Sequence, residues 1–545
     1  MATNNTIPML DKPRWRPITP MPSTTGVPSA GTAGAAFTSD MRSRGYADPN
    51  VFSQSLASSV IQTYNPIIDG WSFQGISTVG GTFGSGIGWK FVPSQGPSGT
   101  LAAGATTTSV VLSTALPAAV EKNQLAARGD GKGYIIRIVD NASGASGKIE
   151  ERRIIGNTSG TTPTIYLDEP LSFTPTTGSR YEMLSGALYL LTTGASKAWV
   201  RIDVATGAVT SLSTTNLIAT VGTIHTELVS LDEQHVPYNR FPGEGFVVDA
   251  TAVYDNTANW VKKCLTATAT AAGTITGQSS GGDSWLPANK YRNFQIRIVE
   301  DTTTPTAVGQ RRRITSHTAG PSVVYTLASN WTVTPSSTAK FVIENDNDKI
   351  IFLTNSTTIY NYNIGANTWD TTTWATRGTA PASGLGAFQT FGLSSNTVNS
   401  QSEIMSLRCA GPNGNPVDVL DIAAGATGVW SSFAMTTTNY TTALTPSSAG
   451  FSCQYDPIYN EGLFMYFGGA FSTNQSPYPV FRLDVAHRKL NGFVNVPTVI
   501  SSVSDSVTNK MALSVLYHDS KHTTFLFLRV PSTGSGTCFE CALIQ

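Results

Sequence analysis

The residues best suited to chemistry are spread thinly along this chain, and their spacings match few known sites. Cys538 and Cys541 have the CxxC spacing of zinc and thiol–disulfide sites, but zinc needs two more Cys or His ligands close by. Residues three apart in a strand point to opposite faces, so we predict that both cysteines are small buried hydrophobic residues. His518 and His522 lie on a predicted hairpin turn, where we expect them to be solvated.

Three charged motifs also admit simple structural interpretations. Glu344, Asp346 and Asp348 offer oxygen ligands, but the glycine and the bidentate acid of a calcium loop are missing, so we predict a polar junction. Arg128–Asp130 is the tripeptide of adhesion ligands, but the glycines beside it predict a tight turn. Neighbouring arginines in Arg311–Arg313 alternate between the faces of a strand, which does not make a phosphate site.

Isolated acids recur at the turns of a repeated pattern, where turn capping explains them better than catalysis. A glycosidase needs two carboxylates that face each other across a cleft, and the SxDxGxTW boxes of sialidases are absent from the sequence. We therefore predict no catalytic, cofactor-binding or metal-binding residue, and no enzyme activity, with a propeller glycosidase as an alternative. The acids that we expect to cap turns are Asp203, Asp255, Asp421 and Asp484.

The composition favours a β-rich protein with polar, uncharged surfaces. The 545 residues include 35 basic and 35 acidic side chains, so no net charge draws the chain to nucleic acid or to a membrane surface. Charged residues are 13% of the chain, against about 25% in ordinary soluble proteins. Apolar residues make up 40%, which is enough for several cores and excludes global disorder.

Cysteine usage and hydropathy indicate a soluble intracellular product, or one released by lysis. The five cysteines are odd in number and mostly far apart, unlike the disulfide framework of a secreted scaffold. The sequence starts without a basic segment followed by an apolar core, and no run of eighteen apolar residues occurs. We therefore predict neither a signal peptide nor a membrane span.

The first 59 residues are rich in proline and small polar residues and show no apolar periodicity. Such a segment cannot build a core alone, but its spaced aromatic and basic residues suit an extended arm that docks onto a neighbouring subunit. A flexible terminus is the alternative. The residues that we expect to dock are Arg14, Trp15, Arg16, Phe37, Tyr46 and Phe52.

From residue 60 onward, short β-branched and aromatic runs alternate with turn residues, which predicts an all-β chain. A strand with Tyr or Asp, then a turn, then often a Trp occurs six times. This pattern resembles the outer part of a kelch-type blade, and uninterrupted copies lie about fifty to sixty residues apart. The resemblance implies a β-propeller of six or seven blades, its last blade completed by a strand near residue 60. The six copies are Thr63–Trp71, Val200–Val209, Val253–Trp260, Tyr360–Trp369, Val419–Trp430 and Phe481–Leu490.

A second repeat is sharper. Residues 134–183 return as residues 294–343 at an offset of 160 without a gap, so that Arg137 matches Arg297 and Arg153 matches Arg313. Their alternating pattern predicts two small antiparallel β-sandwiches or barrels of about eighty residues. We place a first module at 97–184 and a second module at 263–344, both inserted into propeller loops. The other predicted units are the arm at 1–59, the propeller start at 60–96, and propeller blades at 185–262 and 345–545.

The modules share an Arg-Ile-Val strand, an Arg-Arg-Ile strand, a Thr-Gly turn and a Thr-Pro turn. This order of strands and turns resembles small β-modules of structural proteins in tailed bacteriophages. The resemblance implies a virion component of the tail or collar, similar to a nozzle or hub, that is assembled in the host cytoplasm. Its implied partners are other virion proteins and copies of itself in a symmetric assembly, without a cofactor, sequence-specific nucleic acid binding or a membrane.

Two alternatives keep the virion but change the role. The chain would decorate the capsid, or it would be a carbohydrate- or receptor-binding module of a tail fibre. Exposed aromatic side chains would stack on sugars in the second case, and the candidates are Trp285, Trp331 and Trp374. Trp331 equally suits the core of the second module.

Overall fold

The computed structural model is all-β, with two short 3-10 turns and no α-helix in the part that it describes. Within that part, no helix is long and apolar enough to cross a membrane. The described residues are 14–17, 19, 38–39, 51–53, 60–65, 69–75, 88–92, 95–118, 120–126, 133–191, 197–219, 227–230, 262–277, 287–344, 348–354, 356–378, 390–394, 403–407, 416–434, 436–437, 451–456, 461–466, 479–484, 489–495, 510–516, 523–530 and 537–543.

Six small antiparallel sheets follow one another along the chain, and strands are numbered in chain order. The first sheet contains β2 (Thr38–Ser39), β3 (Val51–Ser53), β4 (Val60–Asn65) and β5 (Gly70–Gly75). The second contains β6 (Gly88–Val92), β13 (Ala187–Leu191), β14 (Trp199–Asp203) and β15 (Val209–Leu212). The third contains β16 (Glu227–Ser230), β23 (Lys349–Leu353), β24 (Ile359–Asn363) and β25 (Thr368–Asp370).

The fourth, fifth and sixth sheets lie in the C-terminal part of the chain. The fourth contains β26 (Thr390–Ser394), β27 (Glu403–Leu407), β28 (Pro416–Asp421) and β29 (Val429–Ala434). The fifth contains β31 (Phe451–Asp456), β32 (Glu461–Tyr466), β33 (Pro479–Asp484) and β34 (Lys489–Asn495), with β30 (Thr436–Thr437) parallel to β34. The sixth contains β35 (Lys510–Leu516), β36 (Thr523–Val530), β37 (Thr537–Leu543) and β1 (Arg14–Pro17).

One edge strand of each of the six sheets takes part in a closed cycle of contacts. β2 contacts β6, β6 contacts β16, and β16 contacts β26. β26 then contacts β31, β31 contacts β35, and β35 returns to β2. The six sheets therefore form a ring, in which each sheet has one neighbour on either side.

Strand β23 illustrates how neighbouring sheets in this ring pack. Its residues Ile350, Ile351, Phe352 and Leu353 are all buried. Side chains alternate between the faces of a strand, and Ile350 and Phe352 accordingly join a cluster with the second sheet. Ile351 and Leu353 join a cluster with the fourth sheet. Because both faces are covered, the strand is a continuous apolar run.

The recurring Tyr/Asp and Trp pattern corresponds to the last hairpin of a sheet. Five of its six copies form the hairpins β4–β5, β14–β15, β24–β25, β28–β29 and β33–β34. Tyr362 lies opposite Trp369, and Tyr64 lies opposite Trp71. The copy at Val253–Trp260 falls outside the described residues.

The ring is closed by its two chain ends, and the prediction of a closing strand near residue 60 is wrong. β1 pairs antiparallel with β37, with Trp15 opposite Cys541, whereas Val60–Asn65 belongs to the first sheet. β1 carries Pro17, and proline is tolerated on an edge strand because it need not donate to the ladder. Thr19 N, just after β1, donates to Asp69 Oδ1 at 2.9 Å, which links this edge to the first sheet.

The two modules contain the remaining twelve strands. The first module contains β7 (Ser98–Thr100), β8 (Ser109–Val111), a 3-10 turn (Gln124–Ala126), β9 (Ile135–Asp140), β10 (Lys148–Asn157), β11 (Thr164–Leu167) and β12 (Arg180–Met183). The second contains β17 (Lys262–Ala271), β18 (Thr274–Gly277), β19 (Gln295–Glu300), a 3-10 turn (Pro305–Ala307), β20 (Arg311–His317), β21 (Val324–Leu327) and β22 (Lys340–Glu344).

In the second module the pairings run from β17 through β18, β21, β20, β19 and β22 back to β17, which makes a closed six-stranded barrel. The first module has the same order, and a bridge between Leu101 and Leu112 joins its end strands. Each module has its own apolar core. β10 also pairs with β19, so the modules share a sheet.

Candidate assembly surfaces of the two modules

The two modules meet through the same face of each barrel. Asn141 Nδ2 of the first module donates to Val308 O of the second at 3.0 Å. Asp301 N of the second module donates to Gly147 O of the first at 2.8 Å. The two donor residues are equivalent under the offset of 160, and the two acceptors are within one residue of equivalence. The modules therefore contact each other with approximate two-fold symmetry, as two copies in an isologous dimer would.

Apolar side chains cross this interface. Val139 and Ile149 of the first module are buried within the core cluster of the second. Gly309 lies against Val139 with a φ of +85°, and a Cβ there would come within 2.8 Å of Val139 Cγ1. A larger residue would be strained by its backbone and would also collide, so glycine permits this close approach.

A buried ion pair lies beside the apolar contact. Arg137 Nε donates to Glu151 Oε1 at 2.7 Å, and Arg137 Nη1 donates to Glu182 Oε2 at 3.0 Å. Arg137 is 1% exposed and Glu151 is 0% exposed. A buried guanidinium is stable only when its charge and its donors are matched. These two carboxylates therefore fix Arg137 at the module interface.

Glu182 also joins the two modules directly. Arg311 Nη2 of the second module lies 3.2 Å from Glu182 Oε2. Arg311 is the equivalent of Glu151, and Val342 is the equivalent of Glu182. Between the first copy and the second, the side-chain charge has therefore changed sign at one position and has been lost at another. The outcome is a complementary contact in place of two like charges.

Four arginines set the ionisation of Glu182. Burial alone would raise the pKa of this carboxyl, but Arg311, Arg137, Arg297 and Arg180 together outweigh burial and hold the pKa well below its usual range. Arg297 is 3% exposed and is the repeat equivalent of Arg137. The carboxylate is thus charged at neutral pH.

The other predicted pair, Arg153 and Arg313, has diverged in its contacts. Arg153 Nη1 donates to Gly133 O within its own module at 3.4 Å. Arg313 Nε donates to Asn293 Oδ1 at 3.1 Å, and its guanidinium lies 5.1 Å from the centre of the Trp374 ring. Trp374 follows β25 of the third sheet, so Arg313 anchors the second module to the ring by a cation–π contact.

The first module is fixed to the ring where its ends leave the second sheet. Gly186 N donates to Gln95 O at 2.8 Å, and Arg201 Nη2 on β14 donates to Gly96 O at 3.0 Å. Ala205, at the β14–β15 turn, joins the core cluster of the first module. Backbone, charged and apolar contacts together hold this module against the ring.

An exposed apolar pair distinguishes the outer face of the first module. Ile155 on β10 is 57% exposed and Tyr166 on β11 is 45% exposed. The Tyr166 ring lies over Gly156, the residue opposite it in the ladder. In the second module the equivalents of this pair are exposed threonines, Thr315 and Thr326. The same barrel face is therefore polar in one module and apolar in the other.

The structure places two of the four predicted turn acids in capping roles. Asp203 accepts hydrogen bonds from Ala205 N and Thr206 N at 3.0 and 3.2 Å, and Asp421 accepts one from Ala423 N at 2.9 Å. The turn-capping prediction is confirmed for these two acids. Asp484 ends β33, and Asp255 lies outside the described residues.

The other charged motifs lie as follows. Asp348 accepts a hydrogen bond from Gly365 N at 2.6 Å, as a turn residue would. Arg312 Nε donates to Asn330 O, on the face opposite to the contacts of Arg311 and Arg313. Among the described residues, no group of three His, Cys, Asp or Glu side chains could hold a metal. Arg128–Asp130, His518 and His522 lie outside the described part of the chain.

The residues predicted to dock onto a neighbouring subunit lie partly in sheets of their own chain. Arg14, Trp15 and Arg16 form β1, and their backbone partner is β37. Phe52 lies in β3, opposite Thr63 of β4. Phe37 and Tyr46 fall outside the described residues. Both described segments that carry these residues, β1 and β3, therefore pair with strands of the same chain.

The expectation of an exposed tryptophan is wrong for Trp374, which is 2% exposed and lies between ring sheets. For Trp331, the alternative of a place in the core of the second module is confirmed, since it is 5% exposed and lies in that core. Trp285 falls outside the described residues. Cys538 and Cys541 lie in one strand, β37, three residues apart.

Sequence reasoning missed Glu182, Ile155 and Tyr166. All three lie within the repeat, and the signal that would have identified them is the set of positions where the two copies differ. Matched residues mark the shared barrel, whereas a change from Glu to Val or from Tyr to Thr marks a surface with a different neighbour.

Comparison with known proteins does not identify a family for this chain. No family model matches the chain, and no curated protein matches it. Among solved structures, the allergen Mala s 1 of Malassezia sympodialis is 9% identical over 65% of this chain and 89% of that chain, with a TM-score of 0.25. BamB from Moraxella catarrhalis is 10% identical over 94% and 99% of the two chains, with a TM-score of 0.23. The NanB sialidase from Streptococcus pneumoniae is 7% identical over 92% and 84%, with a TM-score of 0.25. Likenesses this distant carry no argument about fold or function.

Proposed function

We propose that this chain is a structural component of a tailed bacteriophage virion, placed in the tail or collar and assembled in the host cytoplasm. Its body would be a kelch-like β-propeller of six blades with two inserted β-modules. Six meander sheets in chain order, with one edge strand of each in a closed cycle of contacts, support this architecture. β6 pairs with β13, and the first module lies between these two strands in the chain. β16 pairs with β23, and the second module lies between them. Both arrangements support the insertion of the modules.

The fixed attachment of the modules supports a mechanical role. The modules are joined by a shared sheet, apolar packing and the Arg137–Glu151–Glu182 network. The second module is joined to the ring through Arg313 and Trp374. Contacts of these kinds prevent the modules from moving independently. A rigid projecting pair is what a building block in a symmetric particle requires.

The observation that carries the proposal is the exposed pair Ile155 and Tyr166 on the first module. The second module shows that this barrel folds with threonine at both positions, so folding does not require the apolar side chains. Aromatic and large aliphatic residues are the usual centres of protein–protein contacts. We assign this face to contact with another virion protein or with another copy of the chain.

The proposal includes no catalytic role, cofactor, membrane contact or sequence-specific binding of nucleic acid. Arg137, Arg311 and Arg313 of the modules lend support, because they are engaged with carboxylates or an aromatic ring. Arginines engaged in this way do not offer a row of phosphate contacts.

Purified particles provide the test. Quantitative mass spectrometry of intact virions should detect the chain at a small multiple of about six copies, as a tail or collar ring requires. Hundreds of copies would favour capsid decoration, and absence from particles would overturn the virion role. Retention of purified protein on host polysaccharide would favour a receptor-binding module. Release of reducing sugar would favour a glycosidase.

A further inference from the structure

His317, the last residue of β20, is held as a neutral ring by two backbone groups. It is 4% exposed. Tyr291 N donates to His317 Nε2 at 2.9 Å, and His317 Nδ1 lies 2.8 Å from Thr318 O. A carbonyl oxygen only accepts, so the proton must be on Nδ1 and Nε2 must be the acceptor. A second proton would remove the acceptor that Tyr291 N needs.

The first module makes the same contacts with an amide. Asn157 is the equivalent of His317. Leu125 N donates to Asn157 Oδ1 at 3.0 Å, and Asn157 Nδ2 donates to Thr158 O at 3.1 Å. An amide keeps its acceptor and its donor at every pH, whereas an imidazole does not. The equivalent turn is therefore held in the second module by an imidazole, which titrates, and in the first module by an amide, which does not.

The surroundings of His317 disfavour a positive charge. Its ring stacks on Tyr291 at 5.7 Å and lies 5.3 Å from the ring of Tyr325 on β21. Lys290 Nζ lies 6.0 Å from the centre of the Tyr291 ring, and Arg292 follows on the same turn. Lys290 and Arg292 are cations, so each of them opposes protonation of the folded turn.

The turn that His317 holds is also the attachment of the second module to the ring. Asn289 N donates to His317 O, and His317 N donates to Asn289 Oδ1. Four residues further on, Asn293 Nδ2 donates to Ile422 O, after β28 of the fourth sheet. Asn293 also receives the Arg313 hydrogen bond. Loosening of residues 289–293 would therefore loosen the junction between module and ring.

We propose that His317 is an acid-sensitive latch that attaches the second module to the ring. Above neutral pH the neutral imidazole accepts from Tyr291 N and the junction is closed. When the pH falls, the opened turn binds a proton that the closed turn excludes, so acid favours opening. An unperturbed histidine has a pKa near 6.5, and the first module, with Asn157, lacks this response.

Hydrogen exchange of the full chain at about pH 7.5 and about pH 5.0, corrected for intrinsic rates, tests the latch. We expect protection of residues 289–293 and 421–424 to fall by up to about 30-fold at the lower pH, since the open state gains a proton with a pKa near 6.5. Residues 121–126 of the first module should change far less. His317→Asn should remove the pH response at residues 289–293.

The reciprocal variant protects the test against misfolding of His317→Asn. Asn157→His should give residues 121–126 the pH response that they lack in the natural chain. A full response retained by folded His317→Asn, or equal responses in both modules of the natural chain, would overturn the latch. If His317→Asn does not fold, the test rests on Asn157→His. A folded Asn157→His whose residues 121–126 gain no pH response would overturn the latch equally.

Discussion

Arg311 of the second module and Glu182 of the first are joined by an ion pair of 3.2 Å across the module interface. In the first module the position of Arg311 is occupied by Glu151, which is bound to Arg137. Perfect two-fold symmetry would have placed two carboxylates close together. A change of sign in one copy has made the interface complementary, and the interface thus specifies a pair of unlike modules.

We expect Arg311→Gln to weaken the module pair by about 1–3 kcal/mol, because Glu182 would lose a partly buried partner. Urea unfolding followed by hydrogen exchange in β9 and β19 measures the effect. Arg180→Gln is the matched control, because Arg180 is 51% exposed and 3.6 Å from Glu182. An exposed pair of this kind is worth less than about 1 kcal/mol. Equal losses in the two variants would contradict the role given to Arg311.

The module pair should lose stability in acid through Glu182. Its pKa is lowered in the folded chain, so its contribution is complete above the pKa of the unfolded chain and declines as the pH falls below about 4.5. The difference in unfolding free energy between the natural chain and Glu182→Gln should therefore shrink between about pH 6 and about pH 3. A difference independent of pH would show that the carboxylate charge does not stabilise the pair.

Removal of residues 1–17 should destabilise the sixth sheet, since β37 would lose its partner β1 and expose an unpaired edge. We expect a lower thermal unfolding midpoint and faster proteolysis of the C-terminal strands. Removal of residues 1–12 leaves β1 intact and serves as the control. Closure by the chain ends would be contradicted by identical midpoints for the two truncations.

The double substitution Ile155→Thr and Tyr166→Thr gives the first module the outer face of the second. Stability should change by less than about 0.5 kcal/mol per site, because both side chains are exposed. Under the proposed virion role, incorporation into particles should fall strongly, as measured by complementation of a phage that lacks the protein. Val429→Thr, at an exposed apolar residue of the fourth sheet, is the control. Normal incorporation of the double variant would remove this face from the assembly.

The sequence alone determined the all-β class, the repeated hairpins and the duplicated module. Short apolar runs between turn residues predict strands, and the offset of 160 identifies equivalent residues without knowledge of their contacts. The capping roles of Asp203 and Asp421 also followed from local sequence, because a turn and its cap lie within a few residues.

Only the tertiary structure decided which distant segments meet. Whether β1 or the strand near residue 60 completes the sixth sheet depends on contacts between residues more than 500 apart, and the short, proline-containing β1 has no distinctive pattern. The burial of Trp331 and Trp374 and the cross-module pair of Glu182 and Arg311 depend likewise on packing between elements. Local propensity describes each strand, but the free energy that selects its neighbours comes from surfaces that are adjacent only after folding.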